Sequence, residues 1–277
     1  MRIRVITVAA MAVWTLALDA QETPPAPPSA QPAAPLGPPV LTYLGKPLTV
    51  PFQCTADDML AAGLDCSEQD PCPVYLELSA IESSAIRVFA AGNIHTPSAT
   101  LYSILLGSED NGHTWRETYE RVRGAALDHL QFSGADAGWA SGQLVYPLPQ
   151  DPFLLQTSDG GKTWRLHQIF DEQGFGAIQQ FWFEDAKNGS LIIDHGAGAE
   201  GDRYELYESH DSGDSWTVKE SSVKPLKLRR AAPAGNPDWR IRADAPSKSY
   251  HLEHREGARW VTIGAFSVSL GECKPPQ

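Results

Sequence analysis

The chain has 277 residues, of which 42% are hydrophobic, and its formal net charge is -12. This length fits one or two domains, and the apolar content is sufficient for a packed core. The negative charge argues against general binding to nucleic acid or to anionic lipid, so no nucleic-acid partner is expected and any basic patch must be local.

The first 20 residues have the features of an export signal. Arg2 and Arg4 precede an apolar run over residues 5–18, and Ala20 supplies a small residue before a cut. The apolar run is shorter than the roughly 20 residues that a membrane-spanning helix needs. We therefore expect residues 1–20 to be a signal peptide and the protein to be exported, to the periplasm or the extracellular space. An uncleaved anchor is the alternative.

Two segments of different composition follow the signal. Residues 21–39 contain eight prolines among alanines and predict an extended linker with no core to join. From residue 40 the composition changes to short apolar runs, and residues 55–63 read as a capped helical turn that ends at a glycine. We interpret residues 40–72 as an N-terminal cap.

Four cysteines bear on the compartment and on the closure of the fold. They are Cys54, Cys66, Cys72 and Cys273. An even number in an exported chain favours two disulfides, for which three connectivities are possible. The separation of Cys66 and Cys72 by five residues differs from the spacing of zinc knuckles, so neither a metal nor another cofactor is expected. If all four pair, Cys273 must reach back to the cap.

An eight-residue phrase of the form Ser/Thr-x-Asp-x-Gly-x-Thr/Ser-Trp occurs three times. The tryptophans that end the copies are 49 and 52 residues apart, which is typical of repeat architectures. A fourth copy ends at Trp260 and has Arg255 where the aspartate belongs. The shared positions of the three full copies are Asp110, Gly112 and Trp115, then Asp159, Gly161 and Trp164, then Asp211, Gly213 and Trp216.

The phrase predicts a structural turn. Its carboxylate can accept hydrogen bonds from turn amides, its glycine allows a positive φ, and its tryptophan can anchor the turn on the layer below. A calcium loop is the alternative, but the phrase lacks the alternating oxygen ligands and the terminal glutamate of such loops. We therefore interpret each box as the turn of a β-hairpin.

Each repeat is predicted to contain four strands, with the box between the third and the fourth. In the fourth repeat the first predicted strand is Leu226–Ala231. Four such sheets bury both faces only when they are stacked around an axis, so the chain is predicted to be all-β, with residues 73–277 forming a small β-propeller. Either four blades close the ring, or residues 40–53 and 267–272 add a partial fifth.

These boxes resemble the Asp-box, or BNR, repeat of sialidases, sortilin-type receptors and the photosystem II stability and assembly factor family. The last is most similar, because a second phrase also recurs at residues 132–142 and 183–191. The resemblance covers roughly residues 73–268. It implies a propeller that holds a protein partner during maturation of an extracytoplasmic or membrane complex. The repeat serves many activities, so the resemblance informs the fold more than the function.

The candidate binding surface lies on the rim opposite the boxes. The long connections between the second and third strands, and those between repeats, fall on this rim, and loops on a rigid scaffold carry most binding sites. Arginine there suits carboxylate or phosphate. The alternative is that these cations offset neighbouring carboxylates. The predicted binding residues are Arg121, Arg123, Tyr146, His195, Arg203, Lys224, Lys227, Arg229 and Arg230, with Arg240 and Arg242 as neighbours.

A sialidase-like glycoside hydrolase, or a glycan-binding lectin, is the rival class. The sialidase Arg-Ile-Pro phrase is absent; the nearest string, Arg240-Ile241-Arg242, comes late in the chain and lacks the proline. Ser-His-Asp, P-loop and dinucleotide-binding phrases are also absent. Asp194-His195 alone, without a nucleophile, does not indicate catalysis. We predict a monomeric binding or assembly scaffold without a catalytic cycle, whose partner is a protein or a membrane complex.

Overall fold

The computed structural model describes residues 37–145, 148–198, 201–228 and 236–275. Within them the structure is almost entirely β, with one short helix, α1 (Ala56–Ala61). None of the described helical segments is long and apolar enough to cross a membrane. The strands are β1 (Leu41–Thr42), β2 (Cys72–Ser84), β3 (Arg87–His95), β4 (Thr100–Ser108), β5 (Thr114–Glu117), β6 (Ala125–Ser133), β7 (Ala137–Leu144), β8 (Gln150–Thr157), β9 (Arg165–Gln168), β10 (Ala177–Phe183), β11 (Gly189–Asp194), β12 (Tyr204–Ser209), β13 (Thr217–Ser222), β14 (Trp239–Asp244), β15 (Ser249–Glu256), β16 (Arg259–Ser267) and β17 (Ser269–Cys273).

The described strands form four antiparallel sheets, one for each predicted repeat. Strands β2 to β5 form the first blade, β6 to β9 the second, β10 to β13 the third and β14 to β16 the fourth. Each of the three full boxes connects the third and fourth strands of its blade. The boxes therefore mark one rim, and the connections between second and third strands, together with those between blades, mark the other, which we call the loop face.

The three boxes form the same hydrogen-bond network, as the pattern predicts. In the second box, Thr157 donates its hydroxyl proton to Asp159 at 2.8 Å, and the amide of Gly161 donates to the Thr157 hydroxyl at 2.8 Å. Thr163 donates to Asp159 from both its amide and its hydroxyl, and the Trp164 indole donates to the Gly161 carbonyl at 3.2 Å. The other two boxes repeat these bonds at matching positions.

The boxes also hold their aspartates in the charged form. Partial burial raises the pKa of Asp159, but the bonds from Thr163 and Thr157 outweigh it and lower the pKa to about 2. The bonds from Ser215 lower the pKa of Asp211 to about 2 as well. The hydrogen bonds that shape the turn therefore depend on ionised carboxylates, which accept more strongly than protonated ones.

Three apolar clusters lie between the sheets. One joins the fourth and first blades around Trp115 and Phe266, whose rings meet edge to face at 5.4 Å. The second joins the first and second blades around Phe89, and the third joins the second and third around Trp139. Strand periodicity predicts these faces, since alternate residues of a strand face opposite neighbours.

Backbone carbonyls of a box receive bonds from the preceding blade. Arg87 of the first blade donates to the Asp159 and Gly160 carbonyls, at 3.2 and 3.0 Å. Trp139 of the second blade donates to the Ser212 carbonyl at 2.8 Å. The second and third boxes therefore stabilise their own hairpins and also the interface to the preceding blade.

Two disulfides fix the cap and the end of the chain. Cys54 pairs with Cys273, 219 residues away, and Cys66 pairs with Cys72. Helix α1 begins with a capping box in which Thr55 and Asp58 exchange hydrogen bonds. Such disulfides are typical of proteins in oxidising, extracytoplasmic compartments.

The described residues decide between two alternatives for the chain ends and correct one predicted strand. The chain ends do not build a fifth sheet in the described residues, because β1 pairs with β5 and β17 pairs with β2, which makes the first blade six-stranded. The strand predicted at Leu226–Ala231 is not formed over residues 226–228, and its remainder lies outside the described residues. At this point the Leu228 amide donates to the side-chain oxygen of Gln180 at 3.3 Å and not to the backbone of a neighbouring strand.

Candidate functional site

The cap occupies the loop face of the first blade and uses two of the predicted binding residues to do so. Arg121 donates to both carboxylate oxygens of Glu117, at 2.8 and 2.6 Å, and to the Pro51 carbonyl at 2.8 Å. Arg123 lies 3.3 Å from the buried carboxylate of Asp58 in α1. These arginines therefore anchor the cap on the blade, and their charges are countered within the chain.

Two further predicted binding residues, His195 and Arg203, lie on the third blade. Arg203 donates from Nε and Nη2 to the two oxygens of Asp194, at 2.7 and 2.8 Å. This bidentate bond lowers the pKa of Asp194 and outweighs partial burial, which raises it, so the pKa lies below its usual range. Strand pairing creates the contact, because Asp194 and Tyr204 are register partners and Arg203 directly precedes that tyrosine.

Arg240 and Arg242, the predicted neighbours of the basic patch on the fourth blade, are also neutralised. Arg240 and Arg242 donate to opposite oxygens of the buried Glu253, at 2.6 and 2.8 Å. Burial raises the pKa of Glu253, but the bonds from Arg242 and Arg240 outweigh it, so the net shift is downward. Arg242 also donates to Asp244 at 2.8 Å, so the two arginines face two carboxylates and their expected contribution to a basic patch is cancelled.

The remaining predicted binding residues fall into two groups. Lys224 and Lys227 are exposed on the connection that leaves the third blade. Tyr146, Arg229 and Arg230 lie outside the described residues. The structure thus brings His195 and Arg203 together on one blade but leaves Arg121 and Arg123 with the cap.

A pocket of about 850 Å³ opens on the loop face between the second and third blades. One side is apolar: Leu148 and Phe175 are large hydrophobic side chains that remain 61% and 57% exposed. The other side carries His195 and Glu205 from the third blade. A concave apolar surface with a few convergent polar groups is the usual form of a binding site.

His195 connects the two sides of this pocket. Its Nδ1 donates to the Phe175 carbonyl at 2.8 Å, and its Nε2 lies 3.0 Å from the Glu205 carboxylate. Both partners are oxygen acceptors, and each ring nitrogen faces one of them. Glu205 also accepts a 2.5 Å bond from the Tyr207 hydroxyl, whose pKa burial and this bond raise. The polar wall is therefore held in place by buried or half-buried partners.

Of the carboxyl groups in the pocket, Asp194 is held in the charged form by its two bonds from Arg203, which does not suit a general acid. A glycosidase needs one carboxyl held protonated near neutral pH. Among the described carboxyl groups, burial raises the pKa of Glu82, which lies at the box rim end of β2 rather than in the pocket. Across the described part of the chain, no group of three His, Cys, Asp or Glu residues is arranged to hold a metal ion.

The pocket residues Leu148, Phe175 and Glu205 were not predicted from the sequence. Phe175 stands between Gly174 and Gly176 in the connection from β9 to β10, where an aromatic side chain has little local structure to cover it. That position in a glycine-rich connection is a signal that a loop aromatic is exposed. Glu205 gave no signal, because strand residues of β12 do not alternate regularly between buried and exposed.

The repeated box networks and the stacked antiparallel sheets define the class of the protein as an Asp-box β-propeller. No protein-family model matches the sequence. A search of curated proteins likewise gave no match.

Solved structures similar to this chain include two of YCF48 and one arabinofuranosidase. YCF48 bound to D1 peptide has 18% identity and a TM-score of 0.40, over 69% of this chain and 56% of that one. YCF48 from Cyanidioschyzon merolae has 15% identity and a TM-score of 0.33, over 68% and 49%. The alpha-L-arabinofuranosidase Arb93A from Fusarium graminearum has 12% identity and a TM-score of 0.35, over 78% and 65%. The chain thus spans about half the length of the two YCF48 chains.

Proposed function

We propose that the protein is an exported, non-enzymatic scaffold that binds a protein partner on its loop face and supports assembly or stability of an extracytoplasmic or membrane complex. In this proposal residues 1–20 direct export, residues 21–39 form the linker, residues 40–72 the cap and residues 73–277 the propeller. The observation that carries it is the loop-face pocket, whose apolar side leaves Leu148 and Phe175 exposed. Large exposed apolar side chains beside a concavity mark interaction sites.

The position of the cap supports this choice of surface. The cap covers the loop face of the first blade, through contacts such as Arg121 with Pro51. The pocket lies on the second and third blades, where the cap residues make no contribution to the described lining. The box rim is less suited, because its polar groups are used in the turn networks described above.

A paired-variant experiment tests the proposal. We expect Leu148→Ser combined with Phe175→Ser to abolish co-purification of the partner complex from native membranes. Ile86→Ser is the matched control, since Ile86 is also 57% exposed but lies at the box rim. Retention of the complex by the double variant, at the level of the control, would contradict a loop-face site.

The predicted basic patch is a separate part of the proposal. Lys224 and Lys227 are exposed, and Arg229 and Arg230 follow them in sequence. We expect the variant with all four changed to glutamine to retain less of the partner complex than the native protein, because neutralisation removes contacts to acidic groups. If recovery of the complex is unchanged, this basic segment does not belong to the binding surface.

Glycan turnover or binding is the second candidate function, supported by the carboxylates Asp194 and Glu205 in one pocket. A hydrolase would cleave members of a fluorogenic glycoside panel and lose that activity in Glu205→Gln. A lectin would bind glycans saturably without turnover. The scaffold proposal expects neither activity, and either one would replace it.

A further inference from the structure

The charges that line the loop-face pocket are the opposite of those expected from the sequence. Its described lining includes the carboxylates of Asp194, Asp202 and Glu205, one histidine, and neither lysine nor arginine. Arg203, which the sequence places beside the pocket, is bound to both oxygens of Asp194. The pocket thus combines an apolar side with an anionic one.

Two carboxylates of the pocket have capacity to accept further hydrogen bonds. The bonds from His195 and Tyr207 both end on Oε2 of Glu205, and no described residue donates to its Oε1. Asp202 is exposed and receives no bond from the described residues. Asp194, by contrast, accepts from Arg203 and from the Gly196 amide. Glu205 and Asp202 are therefore the groups available to a ligand.

We infer that the pocket binds a partner segment in which a large apolar side chain stands next to a lysine or arginine. This inference rests on the proposed function. The apolar side chain packs on Leu148 and Phe175, and its burial supplies the non-directional part of the affinity. The cation meets Glu205 and Asp202, and this complementarity of charge determines which segments bind. A segment with an acidic residue at that point meets like charges and is rejected.

The geometry gives the cation a prepared partner. His195 contacts the Glu205 carboxylate through Nε2, and the hydroxyl of the buried Tyr207, two residues further along the same strand, donates to it. A fixed carboxylate loses little side-chain freedom when the ligand arrives, which favours binding. The stack of the His195 ring on Phe170, with centroids 6.0 Å apart, further restricts the wall.

Two labelled peptides test the inference. Both have the sequence Gly-Ser-Leu-X-Leu-Ser-Gly, with X being lysine in one and glutamate in the other, and binding is measured by fluorescence anisotropy at low ionic strength. We expect the lysine peptide to bind at least about tenfold more tightly, and the difference to shrink at high salt. Glu205→Gln and Asp202→Asn should each weaken the lysine peptide about fivefold, the size of a partly exposed charge pair.

The controls separate this inference from the proposed function. Glu208→Gln changes a carboxylate on the same strand, bound to Lys219 at 3.2 Å and outside the pocket lining, and should leave binding unchanged. Tighter binding of the glutamate peptide, lost in Phe175→Ser, would overturn the cation preference but keep the loop-face site. Absence of binding by both peptides, or binding that Phe175→Ser leaves intact, would overturn this inference, whereas the proposed function is decided separately by recovery of the partner complex.

Discussion

The disulfide between Cys54 and Cys273 is expected to be the largest single covalent contribution to stability. It joins residues 219 positions apart, so in the chain-entropy description its removal costs about 5 kcal/mol. The bond between Cys66 and Cys72 spans only 6 positions and costs about 2 kcal/mol by the same relation. Both bonds hold the cap, one to β17 and one to the start of β2, so the second serves as a control for the first.

The comparison uses two double variants, Cys54→Ala with Cys273→Ala and Cys66→Ala with Cys72→Ala. Urea unfolding followed by circular dichroism gives the free energy of unfolding of each, and the slope reports changes in the unfolded state. We expect the first variant to lose about 3 kcal/mol more than the second, with a Tm lower by about 6–12 °C. Equal losses would refute the argument that the long connection restrains the unfolded chain.

Two further predictions concern the boxes. Gly161→Ala should destabilise the protein by about 2–3 kcal/mol in urea unfolding, because the φ of Gly161 is +83° and an added Cβ would lie 2.2 Å from the Phe89 ring. Gly198→Ala is the control and should have little effect, since a Cβ added there meets nothing within 4 Å. Equal effects of the two substitutions would contradict this reasoning. Because the folded pKa values of Asp159 and Asp211 are about 2, below the ordinary 3.8, their stabilisation is complete above that ordinary value and is lost as the pH falls towards 2. Unfolding measured from pH 6 to pH 2 should show this decline, and Asp159→Asn should make it shallower; a flat profile below pH 4 would count against it.

The box turns could be predicted from the sequence because their contacts are local. The hydroxyl of Thr157, the carboxylate of Asp159 and the amide of Thr163 lie within six positions of one another, and the network forms whenever glycine permits the turn. The recurrence of the phrase then indicated the number of repeats. The assignment of the box to the turn between third and fourth strands, and of the loop face to the opposite rim, follows from alternation of strand direction.

The disulfide connectivity could not be deduced in the same way. Three pairings of four cysteines satisfy the sequence equally. The pairing of β17 with β2 places Cys273 beside the cap, where it meets Cys54. That strand pairing depends on how the last blade packs against the first, which involves residues far apart in the chain.

The sequence by itself determined that this protein is a repeated all-β chain with structural boxes, because those features depend on residue spacing and on bonds between near neighbours. Only the tertiary structure decided which charges are available. The pairing of β11 with β12 brings Arg203 to Asp194, and the packing of α1 on the first blade brings Arg123 to Asp58. A charged side chain attracts a partner protein strongly only if no nearer counter-ion within the chain neutralises it. The distances between such charges depend on which strands and helices pack together, and not on spacing along the sequence.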